Sequence, residues 1–210
     1  MERLRVTFSK TGALRYTSHL DLQMVWTRAL LRAKMPLAYT QGFHQVPKVG
    51  YSWPLPLGWG TEGELIDIWL DGEEPVDADK FIEDVNNASP AGLTVLAVEK
   101  IPYSDPALTN VIQSAEYIMT FPAEVSESEL QSKMDALYAQ EQILRERRGK
   151  TYDLKALTES WRCFTNADGR ACIETRMAAR NAAMGRPDEL ADALGYDPFS
   201  VDYLRTKYIL

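Results

Sequence analysis

Apolar and polar residues alternate in Arg5-Val6-Thr7-Phe8, the two-residue period of a strand. Beyond Gly12 the period changes: Leu22, Val25, Trp26, Ala29, Leu30 and Ala33 recur along one helical face. Ser18 opens that helix with Asp21 three positions on, a near capping box that also suits the positive helix end, and Met35-Pro36 stops it. Gly42–Gly60 is irregular, with four glycines and three prolines in nineteen residues. Pro54 and Pro56 cannot lie inside a central strand, because proline withholds a ladder hydrogen bond. Alternation returns over Glu64–Leu70, Asp77–Val85 reads as a second helix and Leu93–Glu99 as a strand. The order so far is β-α-β-β-α-β.

A connector follows, in which Asp105 is placed to cap a short helix begun by Pro106. The pattern then repeats. Tyr117–Phe121 reads as a strand, Ser126-Glu127-Ser128-Glu129 as a capping box opening a helix through Ala139, and Gln142–Arg147 as a strand. Trp161–Phe164 and Cys172–Met177 form a hairpin around Asn166-Ala167-Asp168-Gly169, a helix runs from Pro187 through Leu194, and Tyr203–Leu210 closes as a strand. The second succession carries one strand more than the first. The expected fold class is α+β, two tandem ferredoxin-like (βαββαβ) units packed together, with residues 1–104 holding the Gly/Pro/aromatic loop and 105–210 the second unit.

Composition narrows the function classes. With 210 residues, 45% hydrophobic and 25% charged, the chain is neither disordered nor collagen-like and is long enough for a real core. No apolar run reaches membrane-span length and the first residues lead into a strand, so a cytoplasmic protein without a membrane partner is expected. The net charge of −7 argues against nonspecific nucleic-acid binding by the whole surface. Its distribution is uneven: residues 1–60 hold eight basic side chains against two acidic, and 61–140 three against seventeen. A basic N-terminal face and an acidic middle are therefore expected, the alternative being scattered solubilising charge. Cys163 and Cys172 flank the hairpin turn and are expected on one face; two thiols cannot supply a four-cysteine zinc site or the three-cysteine cradle of a radical iron–sulfur enzyme.

The literal G-x-G-x-x-G at Gly58–Gly63 feeds a strand, whereas a dinucleotide site needs it to open a helix. Arg148-Gly149-Lys150-Thr151 ends like a phosphate loop, but Leu144 stands where its first glycine belongs. His19 lies at the first helical position and His44 in the irregular loop. Were the loop folded over the helix end, Lys10, Arg15, His19, His44 and Lys48 could together hold an anion such as phosphate. Otherwise Asp21 satisfies the helix end and His19 packs beside it. No metal site is expected, since His19 and Asp21 point to different faces. The loop aromatics admit two roles. Tyr51, Trp53, Leu55, Leu57 and Trp59 could seal the sheet, or Phe43, Tyr51 or Trp53 beside Lys48 could stack on an unpaired base. A second basic cluster, Arg145, Arg147, Arg148 and Lys150, reads as a solvated strand end.

Several segments resemble the radical-SAM-linked domain family: Phe8-Ser9-Lys10-Thr11-Gly12, Leu14 through Leu22, Tyr39-Thr40-Gln41-Gly42-Phe43, Pro47-Lys48, Pro54 through Gly58, and Glu64 through Ile68. Weaker matches run through Ala115-Glu116-Tyr117 and Arg186-Pro187 to Arg205-Thr206. The resemblance implies a module found beside or fused to a radical-SAM protein, often near genes for ribonucleases or ribosomal proteins. It brings Gln41 into the candidate set with Phe43 and supplies no catalytic residue. After Gly-Phe the family pattern reads Asn-Pro-His-Pro-Lys, whereas here His44-Gln45-Val46-Pro47-Lys48 puts Val46 at the histidine position.

The leading expectation is a non-catalytic accessory protein, without a cofactor of its own, that recognises RNA or a ribosomal component for a separate radical-SAM enzyme. The binding candidates are Lys10, Arg15, His19, Gln41, Phe43, His44, Lys48 and Trp53. Two alternatives stand beside it. One is a metal-independent RNA endonuclease using His19 or His44 with Tyr16 and Lys48, by fold analogy. The other is a protein-interaction scaffold docking through the acidic middle.

Overall fold

In a computed structural model, which describes residues 1–72, 74–147 and 149–210, the opening strand β1 (Glu2–Lys10) runs well past the four alternating residues that announce it. Leu4, Val6 and Phe8 point to one side and are buried. There they meet helix α1 (His19–Arg32), whose Trp26 receives the edge of the Phe8 ring with centroids 4.9 Å apart. Ser18 caps α1 as its position predicts, its hydroxyl accepting from the Asp21 N–H at 3.1 Å. Leu22, Trp26, Ala29 and Leu30 form the buried stripe.

Strand β1 is paired antiparallel on both edges, with β3 (Gly60–Leu70) and β4 (Leu93–Ile101). The short β2 (Val49–Tyr51), which stops before Pro54, pairs with the far edge of β3, so the order in this unit is β4-β1-β3-β2. Helix α2 (Ala78–Ala88), capped by Asp77, adds Phe81 and Val85 to the core. Residues Gly58–Gly63 do run into a strand, so their glycines open no helix. Gly92, at φ +92°, begins the turn into β4, and its carbonyl accepts from the Thr11 N–H at 2.9 Å. One expectation fails in the connector. The short helix α3 starts at Leu108 and ends at Val111. Asp105 caps nothing there: its N–H returns to the Pro102 carbonyl at 3.1 Å and its own carbonyl accepts from Arg3.

Contacts divide the chain into two units, Met1–Val111 and Ile112–Leu210. In the second, β5 (Ser114–Thr120) pairs antiparallel with β11 (Asp202–Ile209) and β9 (Ala171–Arg180), and β9 pairs with β8 (Thr158–Thr165). The order is therefore β8-β9-β5-β11, with β10 (Ala183–Met184) against the end of β9. Helices α4 (Glu127–Tyr138) and α5 (Pro187–Ala193) occupy the two crossovers. Ser126 accepts from the Glu129 N–H, but the Glu129 carboxylate turns to Tyr196 and Lys133, so only half of the expected capping box forms. The extra strand is resolved into a separate ribbon, β6 (Leu144–Arg147) with β7 (Lys150–Asp153).

The cysteines contradict their expected arrangement. Across the β8–β9 hairpin Cys163 faces Ile173 and Cys172 faces Phe164. Partners in register share a face, so the two thiols, one position out of phase, lie on opposite faces. Both are free: Cys172 is buried and Cys163 half-buried. Burial, reinforced by the charges of Glu127 and Asp135, pushes the Cys163 thiol up to about 11. The fold is mixed α+β, and no helix among the described residues is long and apolar enough to cross a membrane.

Candidate functional site

On the inward face of a sheet, charged residues are out of place, yet Lys10 and Glu64 both sit there at the end of β1 and β3. Lys10 continues the inward series Leu4, Val6, Phe8, and Glu64 the series Leu70, Ile68, Ile66. Lys10 is 2% exposed and Glu64 5%. Ser52 and Thr61 are buried beside them, and the Ser52 hydroxyl donates to Glu64 Oε1 at 2.5 Å. His19, Tyr51 and Trp53, with apolar neighbours such as Phe8 and Leu22, also line the cavity of about 10 Å³, at the lower limit for one water. The His19 ring meets Tyr51 edge-on at 5.6 Å. Burial lowers the His19 pKa; Glu64 opposes that shift and Lys10 reinforces it. The neutral ring suits the Gln23 amide, 3.0 Å from Nε2, which can donate to the unprotonated nitrogen.

Lys10, His19 and Trp53 are thus brought together, but around an acid already in place. Arg15, His44 and Lys48, expected to share an anion with Lys10 and His19, are not among the residues lining this cavity. Arg15 belongs elsewhere. It lies on the 3-10 turn Gly12–Tyr16, where its Nε donates to the Gly58 carbonyl and its own carbonyl accepts from the Gly58 N–H, both at 2.8 Å. This clasp fixes the loop. Tyr16, named with the histidines as a catalytic candidate, is exposed, its ring 3.8 Å from where a Cβ on Gly58 would stand.

The remaining candidates share a different construction. Residues 38–48 form a narrow loop whose legs are fixed to the end of β3 through the main chain. Ala38 donates to the Trp69 carbonyl at 2.9 Å, Lys48 to Ala38 at 2.8 Å and Trp69 to Lys48 at 3.1 Å. Thr40 and Val46 close the tip, N–H to carbonyl at 2.9 Å. Beyond that closure Gln41, Phe43 and His44 are exposed. Phe43 keeps 97% of its surface in water, and His44 packs edge-on against it at 5.1 Å.

On one leg, the Lys48 ammonium lies over the Trp69 and Tyr103 rings, 4.8 and 4.9 Å from their centroids, and donates to the Tyr103 hydroxyl at 3.0 Å. Arg3 lies over the same Trp69 ring at 4.6 Å. Tyr51 and Trp53 line the His19 cavity instead, which separates them from the platform expected beside Lys48. Among the described residues no group of three or more His, Cys, Asp or Glu could hold a metal. The sequence reading missed Ser52, Glu64, Trp69 and Tyr103. The inward register of Glu64, in phase with Ile66 and Ile68, was the available signal for one of them.

The profile of the family described as "Uncharacterized protein conserved in bacteria (DUF2344)" matches residues 3–187, spanning the first unit and most of the second. The chain belongs to the DUF2344 family. No curated protein matches this member of DUF2344. A crystal structure assigned as a glycine cleavage system transcriptional repressor aligns over 96% of the DUF2344 chain and 94% of its own, at 11% identity and a TM-score of 0.25.

Proposed function

We propose that this protein is an accessory recognition module that binds single-stranded RNA, including RNA within a ribosomal component, for a separate radical-SAM enzyme. The observation that carries the RNA reading is the tip at Gln41–His44. A phenylalanine ring kept almost wholly in water, on a loop whose legs are fixed, is a ready stacking surface for an unpaired base. Gln41 and His44 beside it offer donors and acceptors for base edges. The radical-SAM partner rests on the sequence resemblance, and a cytoplasmic setting agrees with two unpaired thiols. Each unit is read as ferredoxin-like, supported by the orders β4-β1-β3-β2 and β8-β9-β5-β11 with helices in both crossovers.

The test is binding of labelled single-stranded RNA oligonucleotides at low salt, followed by anisotropy. Phe43→Ala weakens binding by about 1–3 kcal/mol, the loss of one stacked base. Absence of measurable RNA affinity in the wild-type protein overturns the reading.

A further inference from the structure

The ribbon β6–β7 carries an arrangement the tip does not explain. Arg147 and Lys150 are direct cross-strand partners next to its turn. Like charges opposed across a ladder destabilise it. Two positions along on the same face, Arg145 is compensated by Glu189 at 3.6 Å and by Asp192. Arg147 and Lys150 have no such compensation: neither makes an ion pair among the described residues. Arg148, grouped with them in the sequence, lies outside those residues.

Both side chains line a concave groove of about 760 Å³ with Thr151, Tyr152, Leu157 and Met184. Its one acid, Asp153, is already engaged, Oδ1 accepting from the Ile143 and Lys155 N–H groups at 2.9 Å each. A groove with two cations at its lip that make no ion pair among the described residues, the Thr151 hydroxyl in its wall and an apolar floor suits an anionic chain that also carries flat apolar groups. We propose that this groove binds the phosphodiester backbone of single-stranded RNA, Arg147 and Lys150 each meeting a phosphate. The proposal deepens the RNA reading above and rests on it, but uses a separate surface in the second unit.

The experiment follows a short labelled oligouridylate by anisotropy across a salt series, using the full chain. Arg147→Gln with Lys150→Gln lowers the slope of log affinity against log salt by about 1.4, at about 0.7 per phosphate contact on single strands, and weakens low-salt binding about tenfold. Arg147→Lys with Lys150→Arg retains the wild-type slope. Thermal melts confirm folding, and Lys150→Gln alone, with half the slope change, serves if the double variant does not fold. An unchanged slope and affinity in the Gln pair, with binding still weakened by Phe43→Ala, overturns the groove and leaves the loop reading standing. Weakening by the Gln pair with none from Phe43→Ala supports the groove and overturns the loop. No wild-type binding overturns both. Tighter binding of poly-L-glutamate than of RNA, lost in the Gln pair, assigns the groove to acidic peptides and overturns the RNA assignment.

Discussion

A carboxylate removed from water costs several kcal/mol unless its oxygens are well paired. Asp67 has no exposed surface. Its Oδ2 accepts from Arg3 at 2.6 Å and its Oδ1 from Arg5 at 2.9 Å. Arg3 also donates to the Pro106 carbonyl at 2.8 Å and to Asp105, so one guanidinium ties the connector to β1. Asp67→Ala would strand two guanidinium groups and cost about 3–5 kcal/mol, read as a lower urea midpoint. An unchanged midpoint would show that the pairs contribute nothing. His19 gives a pH signature. Its folded pKa lies below 6.5, so the folded state resists protonation of the ring. The unfolded chain then binds more protons, and stability present above pH 6.5 is lost as pH falls through the folded pKa. His19→Gln flattens that part of the stability–pH curve; denaturant titrations of both proteins from pH 7 to about 5 check it.

At the scale of elements, caps and close approaches decide where strands and helices begin. Ser18, Asp77 and Ser126 each accept from a backbone N–H three positions on, a local device that is legible because it needs no distant partner. Gly92 is the opposite case. Its φ of +92° disfavours any side chain, and a Cβ there would stand 2.5 Å from the Thr11 carbonyl oxygen. Gly92→Ala must therefore break the Thr11–Gly92 hydrogen bond or move the turn into β4. A loss of about 1–3 kcal/mol in chemical denaturation is expected, and a neutral result would show that the turn is free to shift. The reading of β3 began four residues late because Gly60-Thr61-Glu62-Gly63 offers no apolar side chain to alternate, although Gly60, Thr61 and Gly63 are buried.

Across the molecule, element order was legible and the destination of charge was not. Periodicity and capping signals located α1, α2, α4 and α5 to within a few residues, because each buries a stripe or carries a cap, whereas the Asp105 cap expected to open α3 does not form. The eight basic residues of positions 1–60 suggested a basic face, but Arg3 and Lys10 are buried and Arg5 nearly so. Counting charge along a chain cannot tell a solvated arginine from one spent on a buried carboxylate, because the partner lies sixty residues away. The candidate site was legible in part for the same reason: Phe43 and His44 are neighbours in the chain, whereas Lys10 and Glu64 meet only through strand register.

The legs of the 38–48 loop are fixed by main-chain groups, whose bonding is indifferent to side-chain identity. The span from Gln41 to Val46 is thereby an interchangeable cassette, and replacements there leave the sheet's geometry intact. Val46, standing where the resembling pattern has histidine, is one such exchange: its side chain is exposed at the tip, while its carbonyl still accepts from the Thr40 N–H at 2.9 Å.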